Sequence, residues 1–184
     1  MSDCRDFELI KKFLSGDESA FNKLIKRHME KIYLVARRMV GNHLDADEVV
    51  QEVLMVIYNK LNTFKFEASF TTWIYRIVIT RSINFLRKRT LKNTFSIFDL
   101  NKTKSKIQDP IEQVEGREEF EIVEKLLAQL PPKQREIFVL RNFEELNYDE
   151  ISKITGKSVG ALKANYFHSI NKLKELLNNY EKSK

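Results

Sequence analysis

Cysteine, histidine, glycine and proline are all scarce in this sequence, and each scarcity closes off a class of protein. Cys4 is the only cysteine among 184 residues, so no internal disulfide can form. Only His28, His43 and His168 accompany it, and they are scattered, so the sequence offers no Cys/His zinc pattern and no cofactor is expected. Five glycines and three prolines are too few for the turns of an all-β chain, which leaves a helical composition. No apolar run nears the ~20 residues of a membrane span; runs such as Val53 to Tyr58 and Ile77 to Ile79 fall far short. The N-terminal MSDCRDFELIKKFL lacks the long apolar stretch of a signal peptide. A cytoplasmic protein with no membrane insertion is expected.

What is present is a core and a modest positive charge. Hydrophobic residues make up 42%, with thirteen phenylalanines, enough to exclude global disorder. The 32 basic and 26 acidic side chains leave +6, which suits nucleic acid or an acidic surface without requiring either.

Helix signals recur along the chain. A short helix is expected near Phe7 to Leu14. Ser15 with Glu18 reads as a capping box, followed by Phe21, Leu24, Ile25, His28, Ile32, Val35, Ala36 and Met39 at helical spacing, with Gly41 and Asn42 as the stop. Asp45 with Glu48 offers a cap for DADEVVQEVLMVIYNKL, whose buried stripe is Val49 or Val50, Val53, Ile57 and Leu61. Thr71 or Thr72 caps a helix through Trp73, Ile77, Ile83 and Leu86 to about Arg89. The pattern then dissolves, with Pro110 and Gly116 as breakers and Phe95, Ile97 and Phe98 as a small apolar group. Helicity resumes near Arg117 and stops at Pro131 and Pro132, the second proline starting the next helix. Asn147 with Glu150 caps YDEISKIT, Gly156 turns the chain, and Ser158 caps a last helix striped by Val159, Leu162, Tyr166, Ile170, Leu173 and Leu177. The fold class is all-α: two small helical domains, 5–92 and 117–181, joined by a flexible linker, 93–116.

Four patterns bear on chemistry. Short helix, glycine turn and longer helix is helix-turn-helix spacing, with Lys163, Ala164, Phe167 and His168 on the free face and small Gly160 near the start; a plain helical hairpin shares that spacing. Arg76, Arg81, Arg87, Lys88, Arg89 and Lys92 lie on or just past one helix with no acid between them. Such like charges repel, and a nucleic-acid backbone would compensate them. Ahead of them, Phe64, Phe66, Phe70, Trp73 and Tyr75 surround a loop, Lys65 to Ser69, suited to accepting an unstacked base, although Phe70 and Trp73 also read as core. Asp45, Asp47, Glu48 and Glu52 admit a metal-dependent nuclease, but a helix N-terminus favours acids without any metal.

Taken in order, DADEVVQEV, FKFEASFTTWIYRIVITRSINFLRKR and LPPKQREIFVLRNFEELNYDEISKITGKSVGALKANYFHSINKLKELL resemble a bacterial RNA polymerase sigma factor of the extracytoplasmic-function group, built of sigma regions 2 and 4. The resemblance implies a non-enzymatic subunit that binds core polymerase and directs promoter-specific initiation. It implies polymerase binding by Asp45, Asp47, Glu48, Gln51 and Glu52. For the −10 element it implies Lys65, Phe66, Glu67, Ala68 and Ser69 as the base-capturing loop, with Arg76, Thr80, Arg81, Asn84, Arg87 and Lys88 on the helix that follows. For the −35 element it implies Ser158, Gly160, Lys163, Ala164, Phe167 and His168. The linker would thread toward the polymerase active-site cleft, and an anti-sigma protein is the expected regulator; no small-molecule substrate is expected. Thr80 stands where the family often has Asn, Asn84 where Asp is common, and Ala161 and Ala164-Asn165 where Thr and Ser-Arg are common. Fewer polar contacts to the −35 DNA, or a different preferred sequence, are expected from these departures. A DNA-binding regulator acting without polymerase is the rival reading.

Overall fold

The computed structural model describes residues 2–96 and 117–182. Among them are α1 (Ser2–Leu14), α2 (Glu18–Val40), α3 (His43–Lys60), α4 (Phe70–Ser96), α5 (Arg117–Ala128), α6 (Pro132–Asn142), α7 (Tyr148–Thr155) and α8 (Val159–Lys182), with a 3-10 turn at Leu61–Thr63 and no strand. The first four form one helical domain and the last four a second. Among the described residues no helix is long and apolar enough to cross a membrane. The apolar group Phe95, Ile97 and Phe98 lies outside the residues whose side chains are described.

Local chemistry sets the helix boundaries, in places through different residues from those the sequence suggested. α2 starts from Asp17, whose carboxylate accepts from the Ser19 N–H at 3.0 Å; the Ser15 hydroxyl instead donates to the Lys12 carbonyl at 2.8 Å and closes α1. α3 starts from Asn42, which accepts from the Asp45 N–H at 2.9 Å. Asp45 therefore sits inside the first turn, where the positive helix end still favours it. Ser69 rather than Thr71 or Thr72 caps α4, its hydroxyl accepting from the Thr72 N–H at 3.1 Å. α4 also runs past Arg89 to Ser96, since neither Gly nor Pro interrupts Phe70 to Ser96. Gly41 (φ 88°) and Gly156 (φ 71°) adopt the left-handed conformation that ends α2 and α7.

The core of the first domain forms as its periodicity predicts, with Val49, Val50, Val53 and Ile57 buried on α3 and Leu61 buried in the 3-10 turn that follows it. The α8 stripe does not. Leu162 is buried, but Val159, Tyr166, Ile170 and Leu173 are half-buried and Leu177 is 42% exposed. A 24-residue helix outruns neighbours of 12, 11 and 8 residues. The two domains also pack together, α2 against α5 and α6, and α4 against α6 and α7. Their buried side chains make one continuous cluster.

α1 is fastened to α2 by a fully buried carboxylate. Asp6 accepts from Arg27 Nε at 2.9 Å and lies 2.9 Å from His28 Nε2. Removing one member of a buried charged set costs about 3 kcal/mol, because its partners stay desolvated. Asp6→Ala should lower the urea-unfolding free energy of the chain by about that much, and Asp6→Asn, which keeps a hydrogen-bonding oxygen, by less.

Candidate nucleic-acid and partner interface

The second domain builds its presented helix from the turn outward. The Asn147 side chain accepts from the Asp149 and Glu150 N–H groups at 3.0 and 2.9 Å, and Glu150 accepts from the Asn147 N–H at 2.8 Å. This reciprocal box fixes the start of α7. The Lys157 ammonium then pairs with buried Glu136, holding the turn after Gly156. Partial burial, with Lys133 nearby, lowers the Lys157 pKa. The Ser158 hydroxyl accepts from the Ala161 N–H at 3.3 Å and opens α8.

Ser158, Gly160, Lys163, Ala164, Phe167 and His168 are all exposed along the N-terminal half of α8. Phe167 is 63% exposed, and its only ring contact among the described residues is the neighbouring His168, at 5.8 Å. A phenylalanine so placed serves no core. The Lys163 ammonium lies 5.8 Å from the Tyr148 ring centre, aimed along the surface shared with α7. A side chain at Gly160 would meet nothing within 4 Å. The fold itself therefore does not demand glycine there, and the backbone at the start of α8 is open to approach.

In the first domain the ring-rich segment divides between core and rim. Phe70 is fully buried and stacks with half-buried Trp73 at 5.7 Å. Phe66 adopts φ 59°, a left-handed conformation that costs a non-glycine residue roughly 1–2 kcal/mol. Edge-on contacts with Phe7 at 5.2 Å and Phe64 at 5.0 Å hold it there. With Phe66 tucked in and Ser69 capping α4, the exposed tip of the loop is Lys65, Glu67 and Ala68. A wall of rings stands behind that tip.

Helix α4 carries its cations beyond this loop. Arg76, Thr80, Arg87 and Lys88 are exposed, while Arg81 and Asn84 are half-buried. Thr80 spends its hydroxyl on the Arg76 carbonyl at 2.7 Å. The compensating charge that the sequence seemed to lack comes in part from α3. Glu52 lies 3.9 Å from Arg81 and 3.8 Å from Lys88, and Asp45 pairs with Arg89. Asp47 lies 3.2 Å from His43 Nε2. Asp45 and Glu52 are thus paired with cations of α4, and among the described residues no His/Cys/Asp/Glu group is arranged to hold a metal.

Of the five α3 residues expected to meet a partner, Glu48 and Gln51 are the exposed ones. They share an outward stripe with Leu44 and Met55, 56% and 65% exposed. Sequence reading passed over those two, although their spacing from Glu48 and Gln51 (positions 44, 48, 51 and 55) is the helical signal that finds them. The contacts between domains were also missed, because no local pattern encodes them.

Comparison with known proteins converges on one family. Residues 24–91 match the sigma-70 region 2 model and residues 120–173 the sigma-70 region 4 model. The chain is 29% identical over 174 residues to the RNA polymerase sigma-H factor of Pseudomonas aeruginosa, covering 90% of each. It is 28% identical to the ECF RNA polymerase sigma-E factor of Escherichia coli K12, covering 89% of this chain and 90% of the other. The fold aligns with the sigma factor RpoE in its co-crystal structure with the anti-sigma factor NepR from Bartonella quintana, with a TM-score of 0.68 at 21% identity, over 86% of this chain and 96% of that one.

Two outcomes follow from the charge arrangement. Lys163→Ala should weaken binding to duplex DNA and reduce the slope of log affinity against log salt by about 1. Glu52→Gln, which removes the acid beside Arg81 and Lys88, should tighten binding to a mixed-sequence DNA oligonucleotide by up to about fivefold, the scale of an exposed ion pair. Fluorescence anisotropy over a salt series reads both.

Proposed function

The chain belongs to the sigma-70 family, in its extracytoplasmic-function group, and from that premise we propose how its surfaces divide the work of transcription initiation. It is a promoter-specificity subunit that binds core RNA polymerase and directs initiation at promoters. Region 2 occupies residues 5–92, the linker 93–116 and region 4 residues 117–181. It acts in the cytoplasm and catalyses nothing itself; binding energy is its mechanism. An anti-sigma protein is its regulator, a reading supported by the complex in which its structural relative is found.

The outward stripe of α3, with Glu48 and Gln51 between Leu44 and Met55, engages the polymerase, aided by Asp45, Asp47 and Glu52. Region 4 docks α8 in the major groove of the −35 element. Lys163 meets phosphate or guanine there, Ala164 and Phe167 offer apolar contact to a thymine methyl, and Ser158, Gly160 and His168 lie against the backbone. At the −10 element the loop of Lys65 to Ser69 takes an unpaired base. Stacking of about 1–3 kcal/mol per base offsets much of an unstacking cost of a few kcal/mol. Thr80, Arg81 and Asn84 meet the upstream edge of that element, while Arg76, Arg87 and Lys88 hold its phosphates.

One observation carries this reading: an exposed loop tip backed by rings, an outward acidic and apolar stripe, and an open recognition helix all occur on one chain. A regulator acting without polymerase would leave the first two without use. Retention by immobilised core polymerase tests it, and Glu48→Ala should weaken that retention by about fivefold. Deleting residues 65–69 should leave retention intact and abolish transcription from duplex templates, with activity returning on templates already unpaired at −10. Equal activity of the deletion and the parent chain on duplex DNA would refute the role of the loop.

A further inference from the structure

Helix α1 reaches the loop of Lys65 to Ser69 from a part of the chain that precedes both family matches, which begin at residues 24 and 120. Phe7, half-buried on that helix, stands edge-on to Phe66 at 5.2 Å and tilted against Phe64 at 5.9 Å. Among the described residues Phe66 makes ring contact with these two alone. Phe64 lies in the same short stretch as Phe66, so Phe7 is the ring that grips it from another element. The Lys11 ammonium, one turn further along α1, lies 5.9 Å from the centre of the Phe66 ring.

The place of Phe7 is fixed in turn. Its neighbour Asp6 is fully buried, 2.9 Å from both Arg27 Nε and His28 Nε2 of α2. Ile10, on the next turn of α1, is fully buried as well. The His28 ring also meets Phe70 edge-on at 5.2 Å, and Phe70 opens α4. Both ends of the loop are therefore referred to one anchor, Phe66 through Phe7 and Phe70 through His28.

The loop needs such an anchor. Phe66 is left-handed at φ 59°, a conformation in which a bulky residue persists only where its surroundings hold it. A return of Phe66 to negative φ would redirect the chain between Lys65 and Glu67, and with it the exposed tip. A site already in its binding form spends no interaction energy on ordering. A site formed only part of the time binds more weakly in proportion to that fraction.

We propose that Phe7 is a positioning residue for base capture: through Phe66 it holds the loop of Lys65 to Ser69 in the form that accepts an unpaired base, which makes α1 the back wall of the −10 site. The proposal rests on the reading of residues 65–69 as the base-capturing loop.

The test uses core polymerase loaded with the full chain or with its Phe7→Ala and Phe7→Tyr variants. Two fluorescein-labelled 20-mers are titrated, a mixed-sequence single strand and an abasic sugar–phosphate strand of equal length, with core polymerase alone as the baseline. The abasic strand keeps the phosphates and offers no base, so the ratio of the two affinities reads base capture apart from charge. The parent should favour the base-bearing strand by about tenfold beyond core alone, the scale of one stacked base. If about one loop in five stays correctly formed without the ring, Phe7→Ala lowers that ratio about fivefold and leaves the abasic affinity within about twofold of the parent's. Phe7→Tyr, which keeps the ring, should retain the ratio. Should Phe7→Ala fail to fold, Phe7→Leu is read in its place and should lower the ratio by about twofold. A folded truncation with the parent's ratio, or a loss shared equally by both strands, would overturn the positioning role while leaving the reading of the loop intact. A parent with no preference for bases beyond core alone would overturn that reading, and the proposal with it.

Discussion

Helix α4 must be the centre of a core and a charged surface at once, and the rest of the molecule is arranged around that constraint. Phe70, Ile74, Tyr75, Val78, Ile79 and Ser82 are buried along it, and it touches α1, α2, α3, α6 and α7. Burying so much of a helix fixes its axis and leaves little choice about where the remaining residues point. Arg87 and Lys88 emerge on the free side, beyond the last buried turn. The loop before the helix is fixed from behind by the same core, because the rings of Phe64 and Phe70 meet at 5.6 Å.

A cluster of cations on so short a stretch needs compensation, part of which α3 supplies, and a second set of charge pairs joins the domains. Along the first domain, Glu52 and Asp45 of α3 sit beside Arg81, Lys88 and Arg89. Between the domains, Glu124 and Glu144 meet Arg37 and Arg38. Both sets use carboxylates that a binding partner can replace, by offering DNA phosphates to the cations or basic side chains to the acids. The exposed pairs of the first domain are worth little individually, and the buried pairs between the domains return little net free energy once desolvation is counted. The helices are therefore held by their apolar faces, while the charges determine which partners can approach.

How far the sequence disclosed this depended on the range of each interaction. The cap at Asn147, the turn at Gly156 and the buried stripe of α3 involve residues a few positions apart, and each was readable from spacing. The exposed face of α8 was readable for the same reason. The start of α2 slipped from Ser15 to Asp17, since two candidate caps stood within one turn and only packing chose between them. The left-handed Phe66 could not be foreseen, because Phe7, far away in sequence, holds its ring. Arg37, Arg38, Glu124 and Glu144 stand in no motif along the chain; only the packing of two domains brings them together. The basic run on α4 was legible as charge, but its partial neutralisation by α3 needed the angle between two helices.

The central claim is that this chain directs polymerase to promoters, and transcription itself tests it most directly. Bacterial core polymerase would be supplied with genomic DNA fragments, with and without the protein, and the 5′ ends of the transcripts mapped. Discrete new start sites, sharing sequence elements near −35 and −10 and appearing only with the protein, are the predicted result. A folded protein that core polymerase retains, but that adds no start sites above those of core alone, would contradict the account.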